Sequence, residues 1–150
     1  MSRATALPEP SDGDHRTIIG EKDGEDIVTV RIDEAKVLKQ ALPVFEGISG
    51  DTAGAKHLTL YRVVIPPGVE AEAHYHDGYE TAIYLMQGTV ETRYGEGLKK
   101  SVVNKAGEFV FIPPNVPHQP RNIGTETAIG IVARNDPNEQ ESVVLYDAAE

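Results

Sequence analysis

The stretch HYHDGYE, His74 to Glu80, sets two imidazoles two residues apart, with a carboxylate four residues beyond the second. On an extended strand side chains alternate with period two, so His74 and His76 project from the same face. Such a pair can offer two nitrogens to one metal ion. The turn Asp77-Gly78-Tyr79 can fold the chain back and bring Glu80 beside them. A third imidazole, His118, follows Pro113-Pro114-Asn115-Val116-Pro117, a stiff segment that would aim it with little conformational freedom. The bland alternative is a pair of surface histidines on a polar strand face, and this spacing alone leaves both readings open. The other histidines are His15, near the N-terminus, and His57, at the head of a strand pattern with no nearby partner.

The surrounding sequence must supply strands to hold these groups. HLTLYRVVI (57–65) is β-branched and aromatic and is stopped by Pro66-Pro67-Gly68. EAEAHYH (70–76) alternates, which puts Glu70 and Glu72 in phase with the histidines. ETAIYLMQG (80–88), TVETRYGE (89–96), KKSVVNKAGE (99–108), FVFIPP (109–114), ETAIGIVAR (126–134) and ESVVLYD (141–147) continue the series. Upstream, IVTVRI (27–32) reads as a strand. DEAKVLKQAL (33–42) permits a short helix capped by Asp33, and Gly-rich FEGISGDTAGAK (45–56) reads as a loop. Short strands broken by Gly and Pro every roughly 8–12 residues, with no long helix between, predict an all-β sandwich or barrel. Residues 1–25, rich in Pro, Gly, Asp and Glu, are expected to form a flexible N-terminal tail, leaving residues 26–150 as a single domain.

Composition narrows the partners. A chain of 150 residues with 39% hydrophobic and 25% charged residues suits one globular core. No apolar run reaches the roughly 20 residues of a bilayer helix, and the N-terminus lacks the apolar segment of a secretory signal. A soluble, cytoplasmic protein is expected. The absence of cysteine excludes disulfides, thiolate metal sites and cysteine nucleophiles. A formal charge of −10 without a local Lys/Arg cluster argues against nucleic acid and anionic membranes as partners. A small-molecule substrate or ligand is the expected partner.

Two blocks of the sequence resemble the cupin superfamily. The family's first motif is Gly, five residues, HxH, three or four residues, Glu, six residues, Gly. Here it reads Gly68, VEAEA, His74-Tyr75-His76, DGY, Glu80, then Gly88. The second is Gly, five residues, Pro-x-Gly, two residues, His, three residues, Asn. Here it reads Gly107, EFVFI, Pro113-Pro114-Asn115, Val116-Pro117, His118, QPR, Asn122. The motif-bearing segment is 68–122, and the likeness extends over about 58–134. The chain also looks like small single-domain cupins in which HYHDGYETAIY and ARNDPNEQESVV recur. The resemblance implies a double-stranded β-helix, or jelly-roll barrel. It implies His74, His76, Glu80 and His118 as ligands of one divalent transition metal ion. Three imidazoles and a carboxylate suit Fe, Mn, Ni, Zn, Co or Cu alike.

Two positions depart from the pattern. Seven residues rather than six separate Glu80 from Gly88, so a strand anchored at Gly88 carries Thr81 where the family has Glu; a β-bulge would restore Glu80. Asn115 replaces a motif Gly, and Asn is the next-best residue for a positive-φ turn. Arg62 and Arg134 are candidates for gripping an anionic substrate, and Tyr84, in phase with Glu80, for facing the cavity. Ala82, Ala128 and Gly130 could leave room for a ligand. Apolar residues on both faces of FVFI (109–112) point to a homodimer formed by sheet packing. The function implied is a metal-dependent enzyme acting on a small molecule, with dioxygenase-type chemistry foremost. Non-redox isomerase, decarboxylase or cyclase chemistry is the alternative, as is non-catalytic binding of a metabolite or metal. A metal-free epimerase-like cupin is disfavoured by the complete set of ligand-type residues.

Overall fold

The computed structural model describes residues 16–32, 36–37, 42–138 and 142–148. In chain order the strands are β1 (Arg16–Ile19), β2 (Thr29–Ile32), β3 (Lys36–Val37), β4 (Pro43–Ile48), β5 (Thr59–Ile65), β6 (His74–His76), β7 (Thr81–Gln87), β8 (Thr89–Tyr94), β9 (Lys100–Lys105), β10 (Phe109–Ile112), β11 (His118–Asn122), β12 (Ala128–Arg134) and β13 (Val143–Leu145). The α-helix described is a single turn, α1 (Gly50–Ala53).

Two antiparallel sheets face one another. One runs β10-β7-β12-β5-β4-β3 and the other β13-β6-β11-β8-β9, while β1 and β2 pair separately. Neighbours in space come from distant parts of the sequence, which is the winding of the expected jelly roll. Alternation decides which side chains enter the barrel. Along β12, Ala128, Gly130, Val132 and Arg134 are buried and the residues between them only partly so. Along β5, Thr59, Tyr61 and Ile65 point inward. The core closes around Ile65, Leu85, Val90 and Ala128 at one level and Val44, Tyr61 and Val132 at another. Each large apolar side chain so buried contributes about 1.5–3 kcal/mol.

The turns hold the register. Asn115 takes φ 64°, the left-handed conformation expected where the motif has Gly. Its side-chain oxygen accepts from Gly78 N–H at 2.9 Å, tying the turn after His76 to the turn before His118. Asn122, fully buried, donates to the carbonyls of Ile65 and Glu126, each at 2.8 Å, and accepts from Gly124 N–H. Gly88 has φ 96°, and a Cβ there would meet Ala128 Cα at 2.7 Å, so β12 passes too close for any side chain. On its other edge β6 is covered by β13, with Val143 opposite His76 and Leu145 opposite His74.

Several expectations need correction. Residues 1–15 lie outside the described residues, but the expected tail ends earlier than position 25. β1 pairs with β2 through Ile18↔Val30 and Ile19↔Thr29, because Arg-Thr-Ile-Ile is a β-prone run behind a Pro- and Asp-rich stretch. Of the helix expected over 33–42, Lys36–Val37 is a strand paired with Val44 and Pro43, and the remainder except Leu42 lies outside the described residues. The expected loop 45–56 begins as part of β4 and continues as α1. Ser49 caps that turn in a reciprocal box with Thr52, a signal lost among the glycines. His118 opens a strand, β11, to which the sequence pattern assigns no element.

Candidate metal centre

β6 presents His74 and His76, and β11 opens with His118; all three are almost fully buried. His118 and His74 are cross-strand partners, so two ligands from distant segments meet as soon as these strands pair. Ring centroids stand 4.4 Å apart for His74–His118, 5.1 Å for His74–His76 and 5.4 Å for His76–His118. One ring nitrogen from each lies within 4.8 Å of the others.

Hydrogen bonding fixes which nitrogens are left for a ligand. His74 Nδ1 lies 2.8 Å from the Glu72 carbonyl oxygen, and His118 Nδ1 lies 2.9 Å from that of Val116. A carbonyl only accepts, so each Nδ1 carries the hydrogen and each Nε2 keeps its lone pair. His76 Nδ1 is buried and has no hydrogen-bond partner from the protein. A buried polar atom left so is costly, and a bound ion or its ligand shell would relieve it.

Electrostatics keeps the rings in the ligand form. Burial holds His76 down to about 2, helped by the positive charge of Arg134 and by His74 and His118. Burial likewise holds His118 at about 3, with His74 and Arg134 adding and the Val116 carbonyl opposing. His74 is lowered by burial and by Arg134 against the pull of the Glu72 carbonyl. Three neutral imidazoles converging on one point fit a divalent transition metal ion. They open onto a cavity of about 110 Å³ whose walls are mainly apolar, among them Val63, Ile65, Leu85 and Val132.

Glu80 does not join them. It is exposed, and its backbone N–H donates to Asn135 Oδ1 at 2.8 Å. The reason is strand register. A bulge does interrupt the β7–β12 pairing, but it falls where Ile129 faces Gln87 and Gly130 faces Leu85, leaving Met86 as the extra residue. From Thr81 to Leu85 alternation is unbroken, so Thr81, Ile83 and Leu85 line the cavity and Glu80 falls out of phase. Thr81, almost fully buried, therefore occupies the inward corner where the resemblance implies a carboxylate.

The same phase separates the substrate candidates. Tyr84 points outward and packs on Phe109, ring centroids 4.8 Å apart. Arg62 also points outward, its guanidinium 4.2 Å above the Phe45 ring. Neither faces the cavity, because Tyr61, Val63 and Ile65 take the inward positions of β5. Arg134 does line the cavity. Its Nε donates to Thr81 Oγ1 and its Nη1 to Tyr61 Oη, both at 2.9 Å. Tyr61 was missed in the sequence, where alternation showed its phase but nothing said which phase was inward. Ala128 and Gly130 border the cavity as expected, whereas Ala82 is exposed. The carboxylates of Glu70 and Glu72 are exposed, and it is the main-chain carbonyl of Glu72 that holds His74.

Comparison with known proteins agrees with this geometry. A family model described as a cupin domain matches residues 61–133. The chain is 31% identical over 87 residues to a 3-hydroxyanthranilate 3,4-dioxygenase of Xanthomonas euvesicatoria pv. vesicatoria (strain 85-10), covering 58% of this chain and 49% of that protein. The counterpart from Xanthomonas oryzae pv. oryzae (strain MAFF 311018) is 29% identical over the same length and shares. The chain thus spans about half the length of the curated relatives it matches. Among solved structures, Lactobacillus farciminis oxalate decarboxylase in its formate complex superposes with a TM-score of 0.63 at 22% identity, over 75% of this chain and 33% of that one. An uncharacterised double-stranded β-helix protein from Klebsiella pneumoniae subsp. pneumoniae MGH 78578 gives 0.62 at 17% identity, over 75% and 90%. At these identities the likeness establishes the fold.

Proposed function

The chain is a member of the cupin superfamily, and from that premise we propose that His74, His76 and His118 hold one divalent transition metal ion that acts on a small molecule, with dioxygenase-type chemistry as the reaction class. The observation that carries the reading is the convergence of three buried, neutral imidazoles, two of them locked with Nε2 facing away from a main-chain carbonyl. Such an ion would supply Lewis acidity and coordination positions open to exogenous groups. The protein's own part is to orient the imidazoles through the Glu72 and Val116 carbonyls and to surround the reacting molecule with apolar walls that exclude water. The partial match to 3-hydroxyanthranilate 3,4-dioxygenases supports oxygen chemistry on a small molecule.

The test has two stages. His118→Ala should lose stoichiometric metal while circular dichroism still reports the barrel; metal retained in that variant would place the site elsewhere. Anaerobic loading with Fe(II), followed by air and a panel of small organic acids, diketones and catechols, should then show oxygen uptake. Loaded protein that consumes no oxygen with any of them would move the reading to non-redox chemistry or to ligand binding.

We propose in addition that a second copy of the chain covers the outer face of the six-stranded sheet. Phe109, Phe111, Met86 and Leu60 are 82%, 59%, 51% and 41% exposed there. Phe109 and Phe111 on β10 pair with Tyr84 and Ala82 on β7, the strand that carries Met86, while Leu60 lies on β5, one strand further across the same sheet beyond β12. Exposed apolar area of this kind marks an interface. In a chain of charge −10, the outward positions of β5, β7, β10 and β12 carry no carboxylate among the described residues, so two copies can approach there without acidic repulsion. Light scattering should give twice the chain mass, and Phe109→Asp should give the single mass with an unchanged fold. A monomeric wild-type chain would refute this.

A further inference from the structure

Thr81, at the head of β7, is 2% exposed and lines the same cavity as His74, His76 and His118. Its side chain ends two bonds short of the point a Glu carboxylate would reach from the same Cα, and the cavity of about 110 Å³ lies before it. A hydroxyl has one hydrogen to donate and two lone pairs to accept with. Arg134 Nε–H takes one lone pair at 2.9 Å. That nitrogen can only donate, so the Thr81 hydrogen must be directed elsewhere. The Thr81 hydroxyl has no other hydrogen bond among the described residues. Tyr61 Oη holds the same guanidinium from β5, so Arg134 is engaged by the protein and serves here as the donor that orients Thr81. A buried donor without an acceptor is costly, and the space open to this one is the cavity.

We propose that Thr81 is a specificity-determining residue of the centre: its hydroxyl donates to the atom by which a ligand meets the ion, so that atom must keep a lone pair after it has coordinated. An oxygen, as in an enolate or an alkoxide, keeps one. The ring nitrogen of an N-heterocycle and the nitrogen of an amine do not. The substrate class is therefore a small molecule that coordinates through oxygen. A hydrogen bond to an ionised oxygen is shorter and roughly twice as strong as a neutral one, which favours the anionic form of that group. A protein carboxylate at this corner would occupy the position itself; the shorter Thr81 leaves it to the ligand and adds a donor. The inference rests on the metal reading above, and its test separates the two.

Cobalt-loaded protein reads the outcome in its visible absorption. Azide stands in for the oxygen ligand, because its coordinating nitrogen keeps a lone pair. Imidazole is the control, because its coordinating nitrogen does not. Thr81→Val keeps the shape of the side chain and removes the donor. It should retain one cobalt per chain, bind azide at least about tenfold more weakly than wild type, a loss of about 1.4 kcal/mol, and bind imidazole as before. Thr81→Ser, which keeps the hydroxyl, should bind azide much as wild type does. A Thr81→Val chain with wild-type affinity for azide would overturn the proposal. So would one that loses azide and imidazole alike, since that is a loosening of the site through Arg134. If Thr81→Val fails to fold, Thr81→Ser and Thr81→Ala, which differ by the hydroxyl alone, decide: weaker azide binding in the alanine chain supports the proposal, and equal binding refutes it. Wild-type protein that takes up no cobalt would bring down the metal reading and this inference with it. Full cobalt with an azide response indifferent to the hydroxyl would remove this inference and leave the metal reading standing.

Discussion

At the scale of residues, the site is defined by protons as much as by positions. Main-chain carbonyls of Glu72 and Val116 fix the hydrogen on Nδ1 of His74 and His118, and burial keeps all three rings neutral. This has a consequence for the metal-free protein. The unfolded chain takes up a proton on each histidine below 6.5, whereas the folded chain resists until far lower, to about 3 at His118 and about 2 at His76. Stability from these groups is thus fully present above 6.5 and is lost as pH falls below it, by about 1.4 kcal/mol per pH unit for each of His76 and His118, with His74 acting in the same direction. Melting temperature should fall steadily between about pH 7 and pH 4.5, and bound metal should hold it up. A flat profile for metal-free protein would contradict the buried, neutral state. Register gives a second prediction. Glu80→Ala should leave metal content unchanged, because Glu80 faces solvent; metal lost from that variant, measured by elemental analysis, would mean the carboxylate swings inward.

At the scale of elements, turns carry more of the specification than strands. The Asn122 side chain makes three hydrogen bonds that bind β11, the following turn and the end of β5 together. Asn122→Ala leaves the buried Ile65 carbonyl, the partly buried Glu126 carbonyl and a main-chain N–H without those partners and should cost about 2–3 kcal/mol, read as a lowered midpoint in denaturant. An unchanged midpoint would show that water replaces the amide. Much of this was legible in advance. His74, His76, His118, Asn115 and Asn122 lie at fixed distances within motifs, and period-two alternation located most strands to within a few residues. What escaped had a physical reason. Whether Glu80 or Thr81 faces inward turns on a single residue, and the bulge that could have reversed them sits at Met86, where no sequence signal marks it. Arg134 could be read only as a cation on the last long strand, since its burial depends on the phase of β12 against β5 and β7. β3 is a two-residue strand recruited by its partner, Pro43–Val44, more than by its own propensity, and β1, though β-prone, is hidden behind a Pro- and Asp-rich stretch.

At the scale of the whole molecule, the site depends on closure of the barrel. His74 and His118 become neighbours only through β6–β11 pairing, and Arg134 reaches the cavity from the opposite sheet. Among the described residues, no helix is long and apolar enough to cross a membrane. β6, three residues long, is steadied on its far edge by β13, by the bond from Asp77 N–H to the Ser142 carbonyl and by that from Tyr146 N–H to the Ala73 carbonyl. Tyr146 Oη also accepts from Gly97 N–H at 2.8 Å. The closing stretch of the chain is therefore a splint on the segment bearing two of the three imidazoles. Loosening it should act on the proposed metal site from behind: deletion after Pro137 should weaken metal uptake by at least about tenfold, or about 1.4 kcal/mol, although no proposed ligand is touched. A purification handle set directly behind this splint should, on the same grounds, lower the metal content of the purified protein.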